Sequence, residues 1–106
     1  MQVSLLAWRS LPRNSLRGFA TVRLGKSLSI KDVTVHASGG RRWAGMPSKP
    51  QIDRDGNTIK GENGKIKYVP ILEWLDRAVA DDFSNSVIEA VEREYPGQTS
   101  VEYTGS

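Results

Sequence analysis

Residues Arg41-Arg42-Trp43-Ala44-Gly45-Met46-Pro47-Ser48-Lys49-Pro50 gather two guanidiniums, an indole and an ammonium around a Gly-Met-Pro break. Guanidinium donors match phosphate oxygens, and an indole face can stack on a nucleobase or on another ring. The same chemistry recurs upstream. Arg17, Phe19, Thr21 and Arg23 alternate along one extended segment, so basic, aromatic and polar groups share a face. Arg41 and Trp43 are in phase with each other, as are Lys65 and Lys67, while Lys49, Arg54 and Lys60 fall in a turn-rich excursion. Arg17, Arg23, Arg41, Arg42, Lys49, Arg54, Lys60, Lys65 and Lys67 are therefore candidate phosphate contacts, with Phe19 and Trp43 as candidate stacking residues. The plainer alternative is a solvated basic face on which Phe19 and Trp43 seal a core or a dimer contact. For Trp43, flanked by Ala-Gly-Met, packing is the favoured role.

Other chemistries find little support. The one histidine, His36, has no partner visible at a fixed spacing, and there is no cysteine to act as a nucleophile, zinc ligand or disulfide. Asp53, Asp55 and Asn57 imitate the start of a calcium loop, but Gly64 stands where its closing acid belongs, so a plain turn is the better reading. The glycines fit neither a Walker nor a dinucleotide fingerprint. No catalytic residue, metal site, cofactor or small-molecule substrate is expected.

Charge is distributed unevenly. The net charge of +3 conceals 13 Lys+Arg against 4 Asp+Glu in residues 1–70, and 2 against 8 in residues 71–106. A basic front and an acidic rear give the surface a direction, unless the two halves simply neutralise each other within the fold. At 106 residues, with 38% hydrophobic and 25% charged, the chain is one soluble domain's worth. Its first residues, Met1 to Trp8, read as a strand rather than a signal peptide, and nothing is long enough to span a bilayer. A cytoplasmic protein without a membrane partner is expected.

The elements that must position these cations follow from periodicity. Val3 to Trp8 is a short apolar strand closed by Ser10-Leu11-Pro12-Arg13-Asn14, a turn-forming cluster. Leu16 to Leu24 alternates, with Leu16, Gly18, Ala20, Val22 and Leu24 on the apolar face, and Gly25-Lys26 predicts a hairpin into Leu28 to Ala37. Parity breaks in that third strand, and a bulge near Lys31-Asp32 would restore one apolar face. Ser38-Gly39-Gly40 turns the chain into a fourth strand from Arg41 to Met46. Pro47 to Gly64 reads as a long hairpin with a mobile tip at about 50–64, returning along Lys65 to Val69. Leu72, Leu75, Val79, Phe83, Val87 and Val91 draw a helical stripe, with weak propensity and a potential break at 81–86, that Pro96-Gly97 ends. The expected fold is α+β: an antiparallel sheet of four to five strands with a C-terminal helix on one face, a single domain over 1–97, and a flexible tail over 98–106.

At Trp43-Ala44-Gly45-Met46-Pro47-Ser48-Lys49 the sequence resembles the SpoVG septation-regulator family (stage V sporulation protein G), whose strand ends in Met-Pro-Ser-Lys. The likeness reaches back through Gly18-Phe19-Ala20-Thr21-Val22 and Ser29-Ile30-Lys31-Asp32-Val33-Thr34-Val35. It reaches forward to Val69-Pro70-Ile71, and to Val87-Ile88-Glu89-Ala90-Val91 with Tyr95, so that most of residues 1–95 is covered. The resemblance implies a small bacterial homodimer that binds DNA and RNA as a regulator, with Lys49 as the motif lysine. The chain departs from the family in the Pro50-Gln51 sequence after Lys49, where an arginine is usual, in the longer excursion to Gly64, and in extra sequence over Glu73 to Ala80. Nothing in the residues speaks to septation itself. Together these features predict transcriptional regulation through phosphate contacts. The alternative is a protein–protein adaptor using the open sheet face.

Overall fold

The computed structural model describes residues 1–99. Four strands, β1 (Val3–Arg13), β2 (Leu16–Leu24), β3 (Leu28–Ser38) and β4 (Arg41–Gly45), form an antiparallel meander in chain order. A short ribbon of β5 (Ser48–Pro50) and β6 (Tyr68–Pro70) follows, then one helix, α1 (Arg77–Glu94). The architecture is α+β, with α1 on one face of the sheet, against β1 and β4.

Local chemistry sets each connection. Asn14, at φ 56°, makes the β1–β2 turn, and Gly39-Gly40, at φ 56° and 80°, supplies the two left-handed residues that a tight hairpin between right-twisted strands requires. The strand β1 runs on through Ser10-Leu11-Pro12-Arg13, correcting the expected turn there. Register shifts after Leu5 and after Ser10 let this edge strand absorb its extra residues as irregularities. In β3, Ala20 pairs with Val33 and Val22 with Ile30, so Thr21 alone faces Lys31 and Asp32. That is the predicted bulge, and Asp32 sits in it at φ 59°. Its effect is to bring Ile30, Val33, Val35 and Ala37 onto one buried face, although Leu28, expected to share it, is exposed.

The core lies between that face and α1, joining Val3, Ala20, Val22, Ile30, Val33 and Val35 to Phe83, Val87, Ala90 and Val91. Each buried apolar side chain of this size contributes about 1.5–3 kcal/mol. The helix begins later than its apolar stripe suggested. The Asp76 side chain accepts from the N–H groups of Ala78 (2.8 Å) and Val79 (3.4 Å), so Leu72 and Leu75 precede the helix and are exposed. From there α1 runs unbroken through 81–86, because Phe83 and Val87 anchor that weak stretch in the core. No described helix is long and apolar enough to cross a membrane.

The excursion between β5 and β6 is hydrogen-bonded throughout. The N–H of Gln51 donates to Lys67 O (2.8 Å), that of Lys67 to Ile59 O (2.9 Å), and that of Ile59 to Gln51 O (2.9 Å), which closes a ring of three. Two arms branch from it, bridged at Ile52–Thr58 and Lys60–Ile66. The Asp53 carboxylate ties the first turn by accepting from Asp55 N–H and Asn57 N–H, and Asn63 accepts from Lys65 N–H in the second. Of the expected flexible tail, Gln98 and Thr99 are held: Trp8 Nε1 donates to Gln98 Oε1 (3.4 Å), and Thr99 bonds to Glu92. The remainder, 100–106, lies outside the described residues.

Candidate nucleic-acid interface

Strand alternation divides the sheet into two unlike faces. Toward α1 point the core residues, together with Arg42 and Ala44 of β4. The open face carries Arg9, Phe19, Thr34, His36, Arg41 and Trp43, with Arg9, Phe19, Thr34 and Gly45 in one cross-strand row. Arg9 sets its guanidinium 4.9 Å from the centre of the Phe19 ring. Arg41 does the same over Trp43 at 5.6 Å, and His36 stacks on that indole at 5.3 Å with the rings 8° from parallel. Trp43 is half-buried in this stack, in keeping with a packing role. The His36 imidazole is held below its ordinary value of 6.5, first by burial and then by the nearby Arg17 guanidinium, so it is neutral at pH 7. Its Nδ1 lies 3.3 Å from the Ser15 hydroxyl.

Two of the predicted phosphate contacts are engaged elsewhere. Arg17 is 4% exposed. β2 shifts register around it, and its guanidinium donates to Asn14 O (2.9 Å), Leu16 O (3.1 Å) and Ala37 O (3.4 Å). It pins the β1–β2 turn to the end of β3, which corrects its assignment as a surface contact. Arg42, although next to Arg41 in sequence, lies on the helix side and sits 3.8 Å from Glu92, so it pairs with one carboxylate of α1. The remaining seven, Arg23, Arg41, Lys49, Arg54, Lys60, Lys65 and Lys67, are exposed, and none has a carboxylate partner among the described residues. They do not all occupy one face. Arg23 and Arg41 belong to the sheet. Alternation in the ribbon, where Lys49 pairs with Val69 and Gln51 bonds to Lys67, puts Lys49 and Lys67 on the side opposite Ser48 and Tyr68. Arg54, Lys60 and Lys65 sit on the two arms.

The sequence reading missed Arg9, because ending β1 at Trp8 hid its pairing with Phe19. It also missed a groove of about 370 Å³ lined by Arg9, Phe19, Asp32, Thr34, Ser48 and Tyr68. In sequence Asp32 stands out at the bulge and within the 29–35 segment of the family likeness, and nothing local in sequence brings Ser48 and Tyr68 beside β2 and β3. A second depression, continuing past Arg9, Phe19 and Asp32, is lined by Ala7, Trp8 and Thr21. Such an arrangement offers cations for phosphates, rings for stacking and one carboxylate for hydrogen-bond donors. No protein-family model, curated protein or solved structure matches the chain.

Proposed function

We propose that the protein is a non-enzymatic, SpoVG-like regulator of the cytoplasm that binds DNA or RNA by its phosphate backbone and works as a homodimer. The observation that carries the reading is the set of exposed cations without carboxylate partners among the described residues: Arg9, Arg23 and Arg41 on the open sheet, and Lys49, Arg54, Lys60, Lys65 and Lys67 on the ribbon and its arms. The acidic side chains of α1 lie across the sheet from Arg9 and Arg41, and Arg42 is the one predicted contact they pair. The Met-Pro-Ser-Lys resemblance supports the same reading. Binding of this kind works by release of counterions, and base identity contributes little to the phosphate part of the affinity.

The test is a salt titration of binding to labelled single- and double-stranded oligonucleotides. Affinity is expected to fall by about 0.9 log units per log unit of salt for each duplex phosphate neutralised. Lys49→Glu is expected to weaken binding to every sequence alike and to lower that slope by about 1. Lys49 is exposed, so circular dichroism of the variant should match the parent. Binding that is absent at low salt would overturn the reading.

The homodimer has a candidate contact surface in an apolar run away from the open sheet face. Ile71, Leu72 and Leu75 are exposed beside a groove lined by Met46, Pro70, Trp74 and Phe83. We assign this surface to the second copy of the homodimer.

A further inference from the structure

Among the cations of the open face stands one carboxylate, and its position is at odds with a purely phosphate-binding surface. Asp32 lines the groove between the sheet and the β5–β6 ribbon, together with Arg9, Phe19, Thr34, Ser48 and Tyr68. It pairs with no cation among the described residues, including Arg9 in the same groove. The bulge opposite Thr21 projects it from the ladder. A phosphate entering here would meet a like charge. An ionised carboxylate is an acceptor only, so what it complements is a pair of adjacent N–H donors.

The rest of the groove is suited to a flat ring. Phe19 and Tyr68 supply aromatic surface, and the Arg9 guanidinium, already over Phe19, is itself a plane on which a base can stack. The volume of about 370 Å³ lies within the range typical of small-ligand sites. Ser48 and Tyr68 add hydroxyls that can donate or accept, and the Thr34 hydroxyl, which donates to Gly45 O (3.4 Å), can accept.

Resting on the reading above, we propose that this groove holds one unstacked base of a single-stranded nucleic acid, and that Asp32 selects guanine. Guanine alone among the common bases presents two neighbouring donors, N1–H and the N2 amino group, along its Watson–Crick edge. In a duplex that edge is occupied, so the groove favours single strands. Arg23 and Arg41, on the open sheet face, hold the flanking phosphates, and the groove reads the base between them; Lys49 and Lys67 face away from it.

The experiment uses the full chain and measures fluorescence anisotropy of short labelled oligothymidine strands, plain or with one central guanine, adenine or cytosine, at one fixed low salt. The guanine strand is expected to bind about tenfold more tightly than the others. Asp32→Asn should remove that preference while binding plain oligothymidine at least as well, because a negative charge has left the face. Asparagine tolerates the left-handed backbone at this position, so the variant should fold. Phe19→Ala should weaken all single strands by about tenfold. A preference for guanine that is missing in the parent, or that survives Asp32→Asn, overturns the proposal while salt-dependent binding stands. Failure to bind any strand overturns both this proposal and the reading beneath it.

Discussion

Gly18 shows how one missing methyl group shapes the sheet. A Cβ there would lie 2.3 Å from the carbonyl oxygen of Arg9 and 2.6 Å from the Trp8 ring. The backbone oxygen cannot step aside without moving β1, so Gly18→Ala is expected to cost about 1–3 kcal/mol, read as a lower urea midpoint. An unchanged midpoint would show that β1 can shift at no cost. Because β1 presents Arg9, the same variant should disturb the Arg9–Phe19 contact. At this scale the sequence was only partly legible. Residue type correctly marked Phe19, Arg41 and Lys49 as exposed or half-exposed. It could not distinguish Arg17 from Arg23, two arginines in phase on one strand, because the register shift around Arg17 is set by its partner strand and buries it. The groove around Asp32 was hidden for a similar reason, since Ser48 and Tyr68 come to it from distant parts of the chain.

Elements obeyed their periodicity along the middle of each buried face and departed from it at strand ends, at Arg17 and Leu28. The alternation of β2 and the parity break in β3 were sufficient to place the bulge, because a slip of one residue would have exposed Val33 and Val35. Boundaries fared worse. Ser10 to Arg13 read as part of a turn that begins only at Asn14, since an edge strand tolerates proline and irregular pairing. Leu72 and Leu75 continued the apolar spacing of α1 although the cap at Asp76 starts the helix after them.

At its far end, α1 is closed by Glu92. This carboxylate accepts from the Thr99 hydroxyl and from the N–H groups of Thr99 and Gly97 (each 3.1 Å), and it faces Arg42. The Thr99 hydroxyl above all, with the two N–H groups and Arg42, holds its pKa below the ordinary 4.5 against the opposing effect of burial. A depressed carboxylate stabilises the fold above its unfolded value, and that contribution disappears as pH falls through the lower folded value. Acid unfolding below pH 4.5 should therefore be less steep in Glu92→Gln, which should also be less stable than the parent at pH 7. Parallel stability–pH curves for the two proteins would remove Glu92 from this role.

For the whole molecule, the imbalance between residues 1–70 and 71–106 was legible as a count but not as a geometry. The structure sets α1 against the core face of the sheet, so the opposite face keeps its own charge. Among the described residues, the predicted contact that α1 pairs is Arg42, on the helix side of the sheet, with Glu92. Exposed large apolar side chains are spread along the described residues, but Ile71, Leu72 and Leu75 fall close together, and Leu75 is 95% exposed. If a second copy covers it, Leu75→Glu should convert a dimer to a monomer in light scattering without lowering the melting temperature of the protomer, since this side chain supports nothing within its own chain. A dimer that persists in the variant would place the interface elsewhere.

The three-way closure at Gln51, Ile59 and Lys67 has a consequence for how this protein can vary. It is made wholly from main-chain atoms at positions eight residues apart, and each arm returns the chain to its starting point. Either arm can therefore lengthen, shorten or change its charge without transmitting a shift to β5, β6 or the sheet beyond. The tip is an interchangeable fitting on a fixed mount, where new contacts can be tried while the rest of the molecule keeps its shape.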